Sequence, residues 1–221
     1  MPTVPRATLR DSMSVALTVG AYGVAFGAAG VAAGFSVVQT CLFSLVTFTG
    51  ASQFAAVGVV AAGGAPASAI GAATLLGVRN ALYGVQMAPL VRARGWRRVL
   101  AAQVTIDEST GVALSQAPRG TNAMRAGFWA TGLGVYAFWN VFTLAGALGA
   151  QALGQPASWG LDAAVPAAFL GLLWPRLEDW FLRGVAVVAM AFAILVTPVL
   201  PAGLEIIASV LVAVAVGWRA R

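Results

Sequence analysis

Lysine and histidine are absent from this 221-residue chain, cysteine occurs once, and charged residues make up only 9%. Without histidine the usual zinc and haem ligand sets are missing, and so is the Ser/His route to an activated nucleophile. A lone Cys41 excludes an internal disulfide and reads as a small buried apolar residue. Without lysine there is no Gly-x-x-x-x-Gly-Lys phosphate loop, so any use of ATP would need another chain. No metal, no cofactor and no enzyme chemistry is expected.

What is present is apolar: 60% of the residues, with a mean hydropathy of +0.87. No soluble domain of ordinary composition looks like this. The alternation of a membrane barrel is missing, which leaves helices as the way to satisfy backbone polar groups in lipid. The fold class expected is all-α: a polytopic integral membrane protein with six to eight transmembrane helices, at least one of them broken or re-entrant near residues 49–53. Residues 1–12 read as an N-terminal cytoplasmic tail and 13–218 as a single transmembrane helical domain. The first apolar stretch runs on to Ala33 with aromatics inside it, so it reads as a retained helix rather than a signal peptide.

The net charge of +6 comes from 13 Arg, and 12 of them lie outside or at the ends of the apolar runs. That placement suits headgroups and orientation signals on a lipid bilayer, not nucleic acid. Three layouts divide the 12 Arg differently. With every run crossing, the split is 8 to 4, and with only Ser36–Ala62 turning back it is 6 to 6. With Val99–Ala117 turning back as well, all 12 fall on one side. The positive-inside rule favours the last, although the arms of Val99–Ala117 are short. Gly23-x-x-x-Gly27 and Gly30-x-x-x-Gly34 predict close helix approach. Trp129, Trp159, Trp174 and Trp218 stand at run ends, as an interfacial belt would.

Arg79, Asp107 and Glu108 fall near the middle of their runs, where an ionised side chain is costly and needs partners. Gly50, Ala51, Ser52, Gln53 and Asn140 sit at similar depth. One cation and two carboxylates suit a zwitterion, with Arg79 facing a substrate carboxylate and Asp107 or Glu108 an ammonium. Gly50–Gln53 would add backbone groups at a helix break. Two plainer readings stay open: a structural ion pair between Arg79 and one carboxylate, and a simple kink at Gly50–Gln53. Phe48, Phe54, Tyr22 and Tyr83 could line an apolar pocket, whereas Trp139 and Asn140 read as packing residues. Asp162, Glu178, Asp179 and Glu205 lie at segment ends, where solvation is expected.

Three blocks carry a resemblance: Phe48-Thr49-Gly50-Ala51-Ser52-Gln53-Phe54, Val78-Arg79-Asn80-Ala81-Leu82-Tyr83-Gly84, and Ile106-Asp107-Glu108-Ser109. In order and spacing the chain resembles the azaleucine-resistance, or AzlC-like, branched-chain amino acid exporters, over about Ser12 to Gly217. Gly160–Phe169 is similar to a later stretch of that family. The resemblance implies export of small hydrophobic amino acids from a bacterial cytoplasmic (inner) membrane, driven by an ion gradient. It also implies a two-component permease with a small AzlD-like membrane subunit. The substrate-binding residues so implied are Gly50, Ala51, Ser52, Gln53, Arg79, Asn80 and Tyr83, and the ion-coupling residues are Asp107 and Glu108. Gly77, Asn80 and Ile106 depart from the family's usual Asn, His and Thr. Without that histidine, proton coupling would fall to Asp107 or Glu108. A facilitator for a small neutral solute and an assembly subunit of a membrane complex are the competing functions.

Overall fold

A computed structural model describes residues 5–154, 163–174 and 177–219. Among them there is no strand, and eleven α-helices follow in order. They are α1 (Arg6–Gly20), α2 (Gly23–Ala32), α3 (Val37–Val46), α4 (Ala51–Ala61), α5 (Pro66–Val91) and α6 (Trp96–Gln103), then α7 (Asp107–Ser115), α8 (Thr121–Ala152), α9 (Ala164–Leu173), α10 (Trp180–Val196) and α11 (Leu204–Arg219). Trp159, Asp162 and the start of the Gly160–Phe169 stretch lie outside the described residues.

The all-α expectation holds for the described residues, but the expected six to eight crossings do not. Among the described residues only two segments are long and apolar enough to cross a bilayer: Arg6–Ala32, which is α1 and α2 in series, and α8. The reason is where the apolar runs turn. Ser36–Ala62 divides into α3 and α4, of 10 and 11 residues, and Val99–Ala117 into α6 and α7, of 8 and 9. At ~1.5 Å per residue each arm covers roughly 12–17 Å, about half the hydrocarbon thickness. The 26 residues of α5 are long enough, but Arg79, Asn80 and Gln86 dilute their apolarity.

The long helix α8 gives a scale of depth for the rest. Ala16 meets Gly134, Gly20 meets Phe138, Gly23 meets Trp139 and Gly27 meets Thr143, so α1–α2 runs parallel to α8. A Cβ at Gly23, Gly27 or Gly146 would overlap the carbonyl oxygen of Trp139, Thr143 or Val24. Glycine is therefore what lets the two longest segments touch backbone to backbone. Their N-terminal ends are tied together. The Thr8 hydroxyl donates to Gln116 Oε1 at 2.8 Å, and Arg119 pairs with Asp11 at 3.2 Å. Arg125 Nε donates to the Leu90 carbonyl at 2.7 Å, which brings the end of α5 and the following Arg-rich loop to the same level. Arg6, Arg10, Arg92, Arg94, Arg119 and Arg125 thus gather at one end of the bundle.

From the opposite end α3 runs inward. Thr40 packs on Gly30, the Ser44 and Thr143 hydroxyls are 3.3 Å apart, and the Phe48 ring meets Tyr136 at 5.0 Å. The chain then turns back, and Phe54 lies beside Trp139 and Phe26 again. Antiparallel to α4, α5 places Gly77 against Ser52 and then carries the chain to the Arg-bearing end. The α6–α7 excursion starts and finishes at that end. Val104 packs on Gly132, and Val112 and Gln116 return to Gly127. Two helical hairpins thus enter from opposite ends and turn near the midpoint of α8. Phe26, Phe48, Phe54, Val57, Ile106, Val135 and Trp139 form the buried cluster around both turns.

Candidate functional site

The turn between α3 and α4 depends on one glycine and one glutamine. Gly50 has φ 65° and ψ −96°, a conformation that a side chain at this position would strain. Gln53, fully buried in the first turn of α4, accepts from the Gly50 N–H at 3.2 Å. Its amide donates back to the Phe43 and Ser44 carbonyls at 3.5 and 3.4 Å. Gln103 donates to the Leu45 and Val46 carbonyls at 2.9 and 3.3 Å, and the Tyr136 hydroxyl to Leu45 at 3.2 Å. The last four carbonyls of α3 therefore all find side-chain donors, and three of them, Ser44, Leu45 and Val46, are orphaned by the helix end while Phe43 keeps the Thr47 N–H. Because Gln103 closes α6, these bonds also join one hairpin tip to the other.

The turn between α6 and α7 uses the same device with a hydroxyl. Ser109 accepts from the Ile106 N–H at 3.0 Å and donates its one hydroxyl proton to the Val104 carbonyl at 2.7 Å, with the Ile106 carbonyl also in reach at 3.1 Å. Asp107 and Glu108 occupy the first turn of α7, where negative charge complements the helix dipole. The first turn of α4 carries no acidic residue, so the positive end of that dipole is left for whatever lies beyond it.

A cavity of about 340 Å³ lies between the tips. Its lining combines the charged Arg79, Asp107 and Glu108 and the turn residues Thr49, Gly50 and Ala51 with the apolar Phe48, Phe54, Leu76, Ile106, Val135, Trp139 and Phe169. Arg79 Nη1 pairs with Asp107 Oδ2 at 2.9 Å, with the two side chains 35% and 21% exposed. Arg79 Nε is buried and makes no hydrogen bond, so the guanidinium retains a donor. The arrangement presents a cation, two carboxylates and a helix N-terminus in the lining of a small, otherwise largely apolar chamber.

Of the residues singled out from sequence, Gly50, Ala51, Arg79, Asp107 and Glu108 come together at this cavity, with Tyr22, Phe48 and Phe54. Ser52, Gln53, Asn80 and Tyr83 are not among its lining residues. Gln53 is turned toward the α3 carbonyls, and Ser52 faces α5, where a Cβ at Gly77 would stand 3.4 Å from its hydroxyl. The expected break at Gly50–Gln53 lies three residues earlier, at 47–50, with Ala51–Gln53 already helical. Trp139, read as packing, lines the cavity as well as the core, and Asn140 donates to its own helix at the Tyr136 carbonyl. Glu205, expected in solvent, has a buried carboxylate oxygen with no hydrogen bond. Gln103 and Ser109 were missed. For Ser109 the sequence did carry a signal: a polar residue three positions after a break reads as a reach-back cap.

These features define an all-helical, membrane-associated protein with a chamber at the meeting point of two broken segments. A family model described as AzlC protein matches residues 14–153, and the chain belongs to the AzlC family. That family is one of non-catalytic transporters, so the chain has a transport role and is not an enzyme. The match spans both hairpins and α8 but stops before α9. No curated protein and no solved structure matches the chain.

Proposed function

We propose that this chain is a secondary active exporter of branched-chain or similar hydrophobic amino acids, multi-pass in a bacterial cytoplasmic membrane, with its substrate site at the hairpin tips. The observation that carries the reading is the Arg79–Asp107 pair at a cavity whose remaining lining is largely aromatic and aliphatic. A zwitterion with an aliphatic side chain has complementary parts. Its carboxylate meets Arg79 and the N-terminus of α4, its ammonium meets Asp107 and Glu108, and its side chain lies against Phe48, Phe54 and Ile106. Asp107 or Glu108 is also the place for ion coupling, since binding that exchanges partners within the Arg79 pair ties substrate to charge. A small AzlD-like membrane subunit completes the permease.

The test is counterflow of labelled leucine, valine and methionine in liposomes, with and without the candidate small subunit, under an imposed pH gradient. Uptake of at least one substrate is expected, lost in Arg79→Ala and Asp107→Ala while the purified variants stay helical and monodisperse. A flat result for all three amino acids, or unchanged transport in both variants, would reject the reading.

A further inference from the structure

The Arg-rich loop after α5 forms a second cavity that the transport reading does not use. It is about 650 Å³, and Arg92, Arg94 and Arg97 line it with Trp96 and Trp129 over a floor of Val91, Leu100 and Leu133. The loop is held in a tight shape. Arg92 ends α5 in the left-handed region, at φ 52°, with its Nε on the Pro89 carbonyl at 3.1 Å, and Gly95 follows at φ 56°. Three arginines lining one concave site match a phosphate, which Arg recognises through paired N–H donors.

Two observations commit the site to a lipid rather than a free phosphate. First, α6 lies on the surface with no buried residue, and its Trp96 and Val99 are 71% and 74% exposed on one side. The Arg97 guanidinium lies over the Trp96 ring, 5.9 Å from its centroid, so a cation and an exposed indole meet at the rim of the cavity, as in an interfacial helix. Second, the cavity floor continues as a track along α8. Leu133, Val141, Leu144 and Leu148 are exposed and repeat at helical spacing below Trp129. A candidate membrane span thus offers an acyl chain an apolar stripe that begins where the arginines are.

We infer that the groove between the 91–97 segment and α8 binds an anionic phospholipid, its phosphate among Arg92, Arg94 and Arg97 and one acyl chain along the exposed face of α8. The site is separate from the tip cavity and shares no lining residue with it.

The experiment uses the whole chain purified into mixed micelles of equal phosphatidylglycerol and phosphatidylcholine, with co-purified lipid quantified by mass spectrometry. Phosphatidylglycerol is expected to be retained over phosphatidylcholine by about tenfold. The R92Q/R94Q/R97Q variant should bring that ratio close to one, while R6Q/R10Q leaves it unchanged. Brominated-chain phosphatidylglycerol should quench tryptophan fluorescence of the unmodified protein more than brominated phosphatidylcholine, a readout that needs no variant. Equal retention, equal quenching, or an undiminished preference in the triple variant would overturn the proposal. Inorganic phosphate raising the melting temperature as much as phosphatidylglycerol does would overturn the lipid assignment in favour of a soluble anion.

Discussion

The two hairpins are alike in path and opposite in chemistry. Both turn near the midpoint of α8, and both are closed by the third residue of the returning helix reaching back to the N–H before it. Yet α3–α4 brings a neutral tip, while α6–α7 brings Asp107 and Glu108 behind an arm, α6, that has no buried residue. The neutral tip holds a helix N-terminus at the cavity, and the acidic tip holds the charge. The comparison assigns positioning to one hairpin and electrostatics to the other, and substitutions at the two tips can separate those roles.

The largest effect is expected at the acidic tip. Asp107→Ala should bring transport to background while the melting temperature in mild detergent shifts little, because the Arg79–Asp107 pair is partly exposed. A drop in melting temperature as large as the loss of transport would assign the pair to scaffolding instead. Next comes Gly50→Ala, which forces a side chain into a conformation that L residues rarely adopt. A destabilisation of about 3 kcal/mol is expected from denaturant melts. Gln53→Leu strands the Gly50 N–H and the Ser44 carbonyl and should lose about 2 kcal/mol. Ser109→Ala at the other tip should lose about 1 kcal/mol, a cap-sized effect. If Ser109→Ala proved the more damaging of the two, the neutral tip would not be the firmer one. The smallest effect belongs to Gln103→Leu, about 0.5 kcal/mol at an exposed site, read as faster hydrogen exchange at Leu45 and Val46.

The chemistry of the site was legible in the sequence because charge in the middle of an apolar run is conspicuous. Arg79 and Asp107 stand at mid-run for the reason that they meet in the fold. The turn near Gly50 was legible from the polar cluster Thr49 to Gln53. Which side of α4 each of those residues would present was not, since a first-turn side chain turns toward whichever orphaned groups lie closest. For Gln53 those groups are the carbonyls of α3, and nothing local in the sequence identifies them. The number of spans was misread because an apolar run reports how much lipid-compatible surface it carries, not where its backbone reverses. Tallying arginines in loops came closer, since it registers on which side each segment ends. Asn80 and Tyr83 follow Arg79 on the same helix, yet do not line the cavity with it.

The glycine seam between α1–α2 and α8 also bears on how the chain is made. Gly27 lies against Thr143, about 120 residues further along, and at ~5–20 residues per second that partner leaves the ribosome several seconds later. Until then the first segment has a groove of bare backbone where its neighbour belongs, and both hairpins lack the helix against which their tips are set. Assembly of the chamber is thereby postponed to the synthesis of α8. A truncation ending before residue 121 should leave the first segment without its packing partner and open to quality-control proteolysis, whereas one ending after 153 retains every helix of the seam.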